Sequence, residues 1–177
     1  MGRFAQDRNA GGVAKRRHIE GFASREETKG RTISEFQDRI VNQSYETAGI
    51  YSRNGTLILR KDGEKQSVFF TNEEIAKMEG ATLVHNHPGS TTFSWDDISF
   101  MQKAKLDEIR VVSKLYEYRL LRNPSVTLSE FQISTAYKNA QMQILRMGGD
   151  PYKSDGLNEI MEIFAHNMGM TYMRDAR

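Results

Sequence analysis

The sequence of 177 residues predicts a mixed α/β fold, because short segments typical of strands alternate with segments typical of helices. The dipeptide Asn54-Gly55 stands between two apolar segments and is a strong signal for a β-hairpin. Beyond the break at Asn123-Pro124, apolar residues recur at helical spacing up to about Met147. Together these observations predict a sheet flanked by helices.

The predicted elements can be placed in order along the chain. We expect helices at 34–44, 71–80 (a short one), 95–105, 127–147 and 157–168. We expect strands at 47–51, 56–60, 67–70, 81–85, 109–114 and 116–121. Capping boxes, in which Ser or Thr is followed three residues later by Glu or Gln, predict helix starts at Ser34, Thr71 and Thr127.

Composition divides the chain into three parts. Residues 1–33 are rich in glycine and carry eight basic and four acidic side chains, so we expect a flexible basic arm or a linker. Contact between this arm and nucleic acid or an acidic partner is the alternative to a solvated tail. Residues 34–122 hold the predicted mixed α/β domain, and residues 123–177 are expected to form a helical C-terminal extension.

Several classes of protein are excluded or disfavoured by composition. The chain has no cysteine, which rules out disulfides, thiolate metal sites and a cysteine nucleophile. No apolar run approaches the ~18 residues of a membrane helix, and the N-terminus has no apolar signal region. We therefore expect a cytoplasmic protein without a membrane partner. The net charge of +2 is too small to indicate nucleic acid by itself.

A candidate metal site lies at the end of the predicted strand 81–85. His85 and His87 are two residues apart, so both side chains point to the same face of a strand. Asp97 follows ten residues after His87 and offers an oxygen ligand. Two histidines and one carboxylate with an open position are typical of a catalytic zinc site, and this composition suggests a hydrolase that uses a metal-activated water. Ordinary surface or core histidines are the alternative.

The candidate general base is Glu46, at the point where a predicted helix gives way to a glycine-containing strand. The segment 46–50 (Glu-Thr-Ala-Gly-Ile), the segment 85–88 (His-Asn-His-Pro) and the segment 94–97 (Ser-Trp-Asp-Asp) together resemble the JAMM (JAB1/MPN/Mov34) metalloproteases. The resemblance covers about residues 35–120. It implies a mixed sheet flanked by helices.

The resemblance also implies a role for each matching residue. His85, His87 and Asp97 would bind zinc, Glu46 would act as general base, and Ser94 would donate a hydrogen bond to the oxyanion. Six residues separate the second histidine from the serine, where the family usually has seven, so a neighbouring aspartate stays an alternative ligand. The substrate would be a protein or peptide cleaved at a peptide or isopeptide bond, for example the tail of a ubiquitin-like modifier.

A looser resemblance connects the chain to JAMM-like domains of bacteriophage head or morphogenesis proteins and of other mobile elements. It depends on the stretch 63–97 and on the closing segment 168–172. Two further functions stay open on this basis. One is a non-catalytic JAMM-like binding or structural module, in which Ser94 and Asp97 simply cap a helix. The other is a metal-dependent nuclease, suggested only by the letters His-Asn-His. The oligomeric state is not indicated by the sequence.

Overall fold

The computed structural model describes Arg3–Ala5 and residues 32–177. Its described strands are β1 (Arg3–Ala5), β2 (Thr47–Tyr51), β3 (Leu57–Asp62), β4 (Ser67–Phe69), β5 (Thr82–Asn86), β6 (Glu108–Val112), β7 (Tyr116–Leu121) and β8 (Thr171–Ala176). Its described helices are α1 (Ile33–Ile40), α2 (Asn72–Ile75), α3 (Trp95–Lys103), α4 (Glu130–Arg146) and α5 (Ser154–Asn167). The predicted mixed α/β class is therefore confirmed.

Six strands form one mixed sheet in the order β3-β2-β5-β6-β7-β8. Only β5 and β6 run parallel within this sheet, and the other neighbours are antiparallel. Parallel neighbours need a crossover connection, and α3 makes it between β5 and β6. The chain therefore leaves the C-terminal end of β5, turns into α3, and comes back to β6, which fixes the place of the candidate site.

The hairpin predicted at Asn54-Gly55 is confirmed. β2 and β3 pair antiparallel across Asn54-Gly55, where Gly55 has a φ of 79°, a left-handed conformation that glycine adopts without a Cβ clash. β6 and β7 also form a hairpin, although no glycine marks the turn. There Ser113 stabilises the turn instead, because its hydroxyl donates to the Tyr116 carbonyl and accepts from the Tyr116 amide.

Residues 123–177 share one hydrophobic core with the preceding part of the chain. The largest buried cluster includes Leu83 and Ile109 of the sheet together with Ile133 of α4 and Phe164 of α5. The same segment supplies β8, which pairs antiparallel with β7. The sequence analysis did not predict β8, because its side chains are mostly exposed and lack an apolar alternation, so the strand depends on backbone hydrogen bonds to β7.

Two predicted helix starts are wrong, and one is confirmed. The N-cap of α1 is Thr32 and not Ser34, and the N-cap of α4 is Ser129 and not Thr127. In each case a second capping box with the same spacing overlaps the predicted one, so the pattern alone does not select between them. Thr71 caps α2 as predicted, although this helix is a single turn that ends well before position 80.

The predicted basic arm falls mostly outside the described residues. Of the segment 1–33, the structure describes β1, which pairs parallel with β4, and the start of α1. Within the described part of the chain, no helix combines the length and the apolar character needed to cross a membrane.

Candidate metal centre

His85 and His87 lie side by side at the C-terminal end of β5. The Nε2 atoms of the two rings are 3.0 Å apart, and both side chains are buried. The His87 amide donates to the Val112 carbonyl of β6, so the backbone stays strand-like for one residue beyond β5. The predicted alternation of strand side chains therefore brings both imidazoles to the same place.

Asp97 completes a three-residue cluster from the first turn of α3. Its Oδ1 lies 3.4 Å from the His85 Nε2, and its Oδ2 lies 3.5 Å from the His87 Nε2. The potential ligand atoms of the three residues all lie within 4.8 Å of one another, and all three residues are buried. The structure therefore brings Asp97, rather than Asp96, to the two histidines, and this cluster could hold a metal ion.

The start of α3 explains how the Asp97 carboxylate is oriented. Ser94 is the N-cap of this helix, and its hydroxyl accepts from the Asp97 amide over 3.2 Å. In return, the Ser94 amide and hydroxyl donate to Asp97 Oδ2 over 2.6 and 2.8 Å. Ser94 thus holds the aspartate in a capping box. The predicted role of Ser94 as an oxyanion donor stays a prediction, and it would require this hydroxyl to release Asp97.

Glu46 lies beside His87 because of the register between β2 and β5. Ala48 pairs with His85 in this antiparallel ladder, so the residue two positions before Ala48 falls opposite the residue two positions after His85. Glu46 Oε1 is 4.0 Å from the His87 Nε2, and the side chain is only 2% exposed. Its Oε2 is buried and accepts no hydrogen bond from any of the described residues.

Asn86 is a site residue to which the sequence analysis assigned no role. It stands between the two histidines in the sequence; its side chain is fully buried, and its Oδ1 accepts from the Thr47 amide over 2.7 Å. Its Nδ2 donates to the Tyr45 carbonyl over 2.9 Å. These two bonds flank Glu46 and fix its backbone to the end of β5. The only sequence signal for this role is an amide side chain between the two histidines of the motif.

A backbone carbonyl fixes the tautomer of His87. The His87 Nδ1 lies 3.0 Å from the Thr91 carbonyl oxygen. Because a carbonyl can only accept, Nδ1 carries the proton, and the Nε2 of the neutral ring keeps a free electron pair. A histidine ligand is commonly oriented in this way by a bond from its second nitrogen.

The charges of the site follow from burial. Burial lowers the pKa of His87 to about 4, so this ring is neutral at pH 7. Burial alone would raise the pKa of Asp97. The charge of His85, a hydrogen bond from His85 and the charge of His87 lower it by more, so the pKa of Asp97 lies below its ordinary value. At neutral pH, the imidazole of His87 and the carboxylate of Asp97 are therefore in the forms that bind a metal ion.

The pKa of Glu46 is raised, whereas those of His87 and Asp97 are lowered. Burial, opposed by His85 and assisted by Asp97, raises the pKa of its carboxyl to about 7. A carboxyl group with a pKa near the working pH can both accept and release a proton.

The spacing of the donor atoms fits a tetrahedral ion. Zinc bonds of about 2.0–2.1 Å at a tetrahedral angle hold neighbouring nitrogen and oxygen ligands roughly 3.3 Å apart. The Nε2 atoms of His85 and His87 are 3.0 Å apart. Asp97 Oδ1 lies 3.4 Å from the His85 nitrogen and Asp97 Oδ2 lies 3.5 Å from the His87 nitrogen, so both carboxylate oxygens lie near the spacing that such an ion requires. Two imidazole nitrogens and one carboxylate leave a fourth position open in a tetrahedral site.

An open cleft of about 170 Å³ leads to the cluster from the side of Glu46. The cleft is lined by Glu46, Lys65, Gln66, His87, Pro88, Gly89 and Thr91. His85 and Asp97 do not line it and are fully buried. A molecule in the cleft would therefore meet Glu46 and His87 first.

The chain has two further histidines, His18 and His166. His166 is exposed on α5 and does not belong to the cluster. His18 lies outside the described residues.

Comparisons with protein-family models, with curated proteins and with solved structures gave no match. The resemblance to JAMM metalloproteases therefore depends on the motif residues, and the site must be judged on its geometry.

Proposed function

We propose that this protein is a zinc-dependent hydrolase that cleaves a peptide or isopeptide bond. The observation that carries the proposal is the buried cluster of His85, His87 and Asp97 with the Glu46 carboxyl 4.0 Å from one of its ligand nitrogens, at the inner end of an open cleft. A set of metal ligands alone would be sufficient only to store a metal ion or to stabilise the fold. A carboxyl group that titrates near neutrality beside the ligands adds a means of moving protons.

Zinc is the ion that this donor set favours. Imidazole nitrogen and carboxylate oxygen in a four-coordinate arrangement suit zinc, whereas calcium and magnesium prefer oxygen ligands in larger number. When bound, zinc would lower the pKa of a coordinated water to about 7 and would polarise a substrate carbonyl.

Glu46 supplies the proton transfer in the proposed reaction. Its carboxylate takes a proton from the attacking water, and the resulting carboxylic acid gives that proton to the leaving amine. In the metal-free protein, burial raises the pKa of this carboxyl to about 7, and the charge of a bound zinc ion would lower it and favour the carboxylate that accepts the proton. Asn86 and the pairing of β2 with β5 keep this carboxyl beside His87.

The cleft is accessible to a protein or peptide substrate. It is open to solvent, and its rim includes the exposed side chains of Lys65 and Gln66 in the β3–β4 turn. The flexible tail of a ubiquitin-like protein is one such substrate.

The variant Glu46→Gln tests the catalytic proposal. We expect the wild-type protein to hydrolyse members of a panel of fluorogenic peptide amides and ubiquitin-like proteins with an amide-linked fluorophore at the C-terminus. The variant should lose at least about 100-fold of that activity, while its zinc content stays at the wild-type value. Hydrolysis that survives the substitution, or that is unchanged after zinc is chelated, would refute the mechanism.

One observation favours a second function, a metal-binding module without catalysis. The hydroxyl of Ser94 is bonded to Asp97, and Ser94 does not line the cleft, so no oxyanion donor from this residue faces a substrate. Zinc binding without hydrolysis of any amide in the panel would support this function.

A further inference from the structure

Tyr172 of β8 connects the C-terminal part of the chain to the loop that carries the candidate ligands. Its hydroxyl lies 2.9 Å from the Thr92 hydroxyl and 2.8 Å from Asn158 Oδ1. Asn158, on α5, donates from its Nδ2 to Glu162 Oε1 over 2.8 Å. Thr92 and Asn158 are both buried. Four side chains from a loop, a strand and a helix thus form one hydrogen-bonded chain.

The direction of these hydrogen bonds follows from the acceptor at the far end. A carboxylate only accepts, so the amide nitrogen of Asn158 faces Glu162 and its oxygen faces Tyr172. Tyr172 then gives its single proton to Asn158, and the Thr92 hydroxyl must donate to Tyr172. Each hydroxyl in the chain therefore has a fixed role.

Thr92 stands between the two contacts that orient the candidate metal ligands. The preceding residue, Thr91, gives the carbonyl that accepts from the His87 Nδ1. Two residues after Thr92, Ser94 holds the Asp97 carboxylate. A bond that fixes Thr92 therefore restrains both contacts at once.

The loop itself needs such a restraint. Ser90 has a φ of 56°, in the left-handed region that residues with a Cβ seldom adopt. Phe93 is fully buried and packs edge-to-face on the Tyr172 ring, with the centroids 6.2 Å apart. Tyr172 thus contacts this loop through both its ring and its hydroxyl.

We propose that Tyr172 is a positioning residue for the metal centre, which acts through the Thr92 hydroxyl and raises the affinity for zinc. The inference rests on the metal site of the proposed function and does not require hydrolysis. It makes residues 123–177 part of the site, because Tyr172 and its partner Asn158 both come from that segment.

The test compares zinc affinity in four variants by competition with a chromophoric chelator. Tyr172→Phe keeps the ring on Phe93 and removes only the hydroxyl, and Thr92→Val removes its partner. We expect Tyr172→Phe and Thr92→Val each to bind zinc at least about tenfold more weakly than the wild type. The double variant should be no weaker than the worse single variant, because both remove the same interaction. Thr92→Ser keeps the hydroxyl and should restore wild-type affinity.

Tyr116→Phe is the matched control, since Tyr116 lies on β7 beside β8 and contacts Arg174 rather than the loop. It should bind zinc like the wild type. Affinities are compared only at temperatures at which near-ultraviolet circular dichroism shows each metal-free variant to be folded. The absorption spectrum of the cobalt-substituted protein gives a second readout, because it reports ligand geometry and should change in Tyr172→Phe but not in Tyr116→Phe.

The possible failures can be told apart. A wild-type protein that binds zinc, together with folded Tyr172→Phe and Thr92→Val variants of unchanged affinity, would overturn the inference and leave the metal site intact. A wild-type protein that binds no zinc would overturn both. Zinc binding without amide hydrolysis would remove only the catalytic proposal, and the positioning role of Tyr172 would still be judged by the affinities.

Discussion

Glu46 and His87 face each other across neighbouring antiparallel strands, with Glu46 Oε1 4.0 Å from the His87 Nε2. The pair joins two groups whose pKa values burial moves in opposite directions, to about 7 for the glutamate and to about 4 for the histidine. At neutral pH the histidine is free to bind a metal ion, and the glutamate is close to half-ionised. The same buried environment thus prepares a candidate metal ligand and a candidate general base.

The stability of the metal-free protein should reveal the raised pKa of Glu46. The folded state holds the proton more tightly than the unfolded state, so this stabilising contribution is complete below pH 4.5 and is lost as pH rises through 7. Glu46→Gln has no such loss. From pH 4.5 to pH 7, the free energy of unfolding of the wild type should therefore fall relative to that of Glu46→Gln, by on the order of 2 to 3 kcal/mol.

Urea unfolding of the chelator-treated proteins at several pH values measures that difference. The contribution of His87, whose lowered pKa removes stability as pH falls from 6.5 to about 4, is present in both proteins and cancels. A difference that stays constant from pH 4.5 to pH 7.5 would show that the Glu46 carboxyl is not buried as described.

Ser94→Ala should separate the capping role of Ser94 from its role at the site. Loss of an N-cap side chain costs about 1 kcal/mol, and here it also removes one of the two hydrogen bonds that Ser94 gives to the Asp97 carboxylate, so zinc affinity should fall together with stability. Ser129→Ala removes the matching capping box of α4, away from the cluster. It should lower the free energy of unfolding by a similar amount and leave zinc affinity unchanged. Equal zinc affinities in the two variants would argue against this role of Ser94.

Removal of zinc should lower the thermal stability of the wild type but not that of a variant that lacks one of the metal-binding residues. An ion that binds only the folded state adds about 2.7 kcal/mol at a free concentration one hundred times its Kd. We therefore expect chelation to lower the unfolding temperature of the wild type and to leave that of His85→Ala unchanged. Differential scanning calorimetry with and without chelator measures both. The same shift in both proteins would mean that the ion binds elsewhere.

The sequence was sufficient to predict that His85, His87 and Asp97 lie close together, because the geometry of this cluster is local. Two histidines at strand spacing must share a face, and the Ser-x-x-Asp spacing places Asp97 in the first turn of a capped helix. Glu46 is different, since its place beside His87 depends on the register between β2 and β5. It was found through its resemblance to a family motif and not from periodicity.

The parts that sequence analysis missed depend on tertiary contacts. Tyr172 lies 80 residues from its partner Thr92, and no local pattern connects the two. β8 has few buried side chains, so its hydrophobic pattern is too weak to identify a strand. The starts of α1 and α4 were misplaced because two capping boxes overlap at each of them, and packing selects between them.

Zinc stoichiometry tests the central claim most directly. Purified wild-type protein should contain one zinc ion per chain by inductively coupled plasma mass spectrometry. The near-isosteric variants His87→Gln and Asp97→Asn should lose it, while His166→Gln, altered at the exposed histidine of α5, should retain it. Zinc that persists in both site variants, or a wild-type protein that takes up no zinc when the ion is added, would contradict the account.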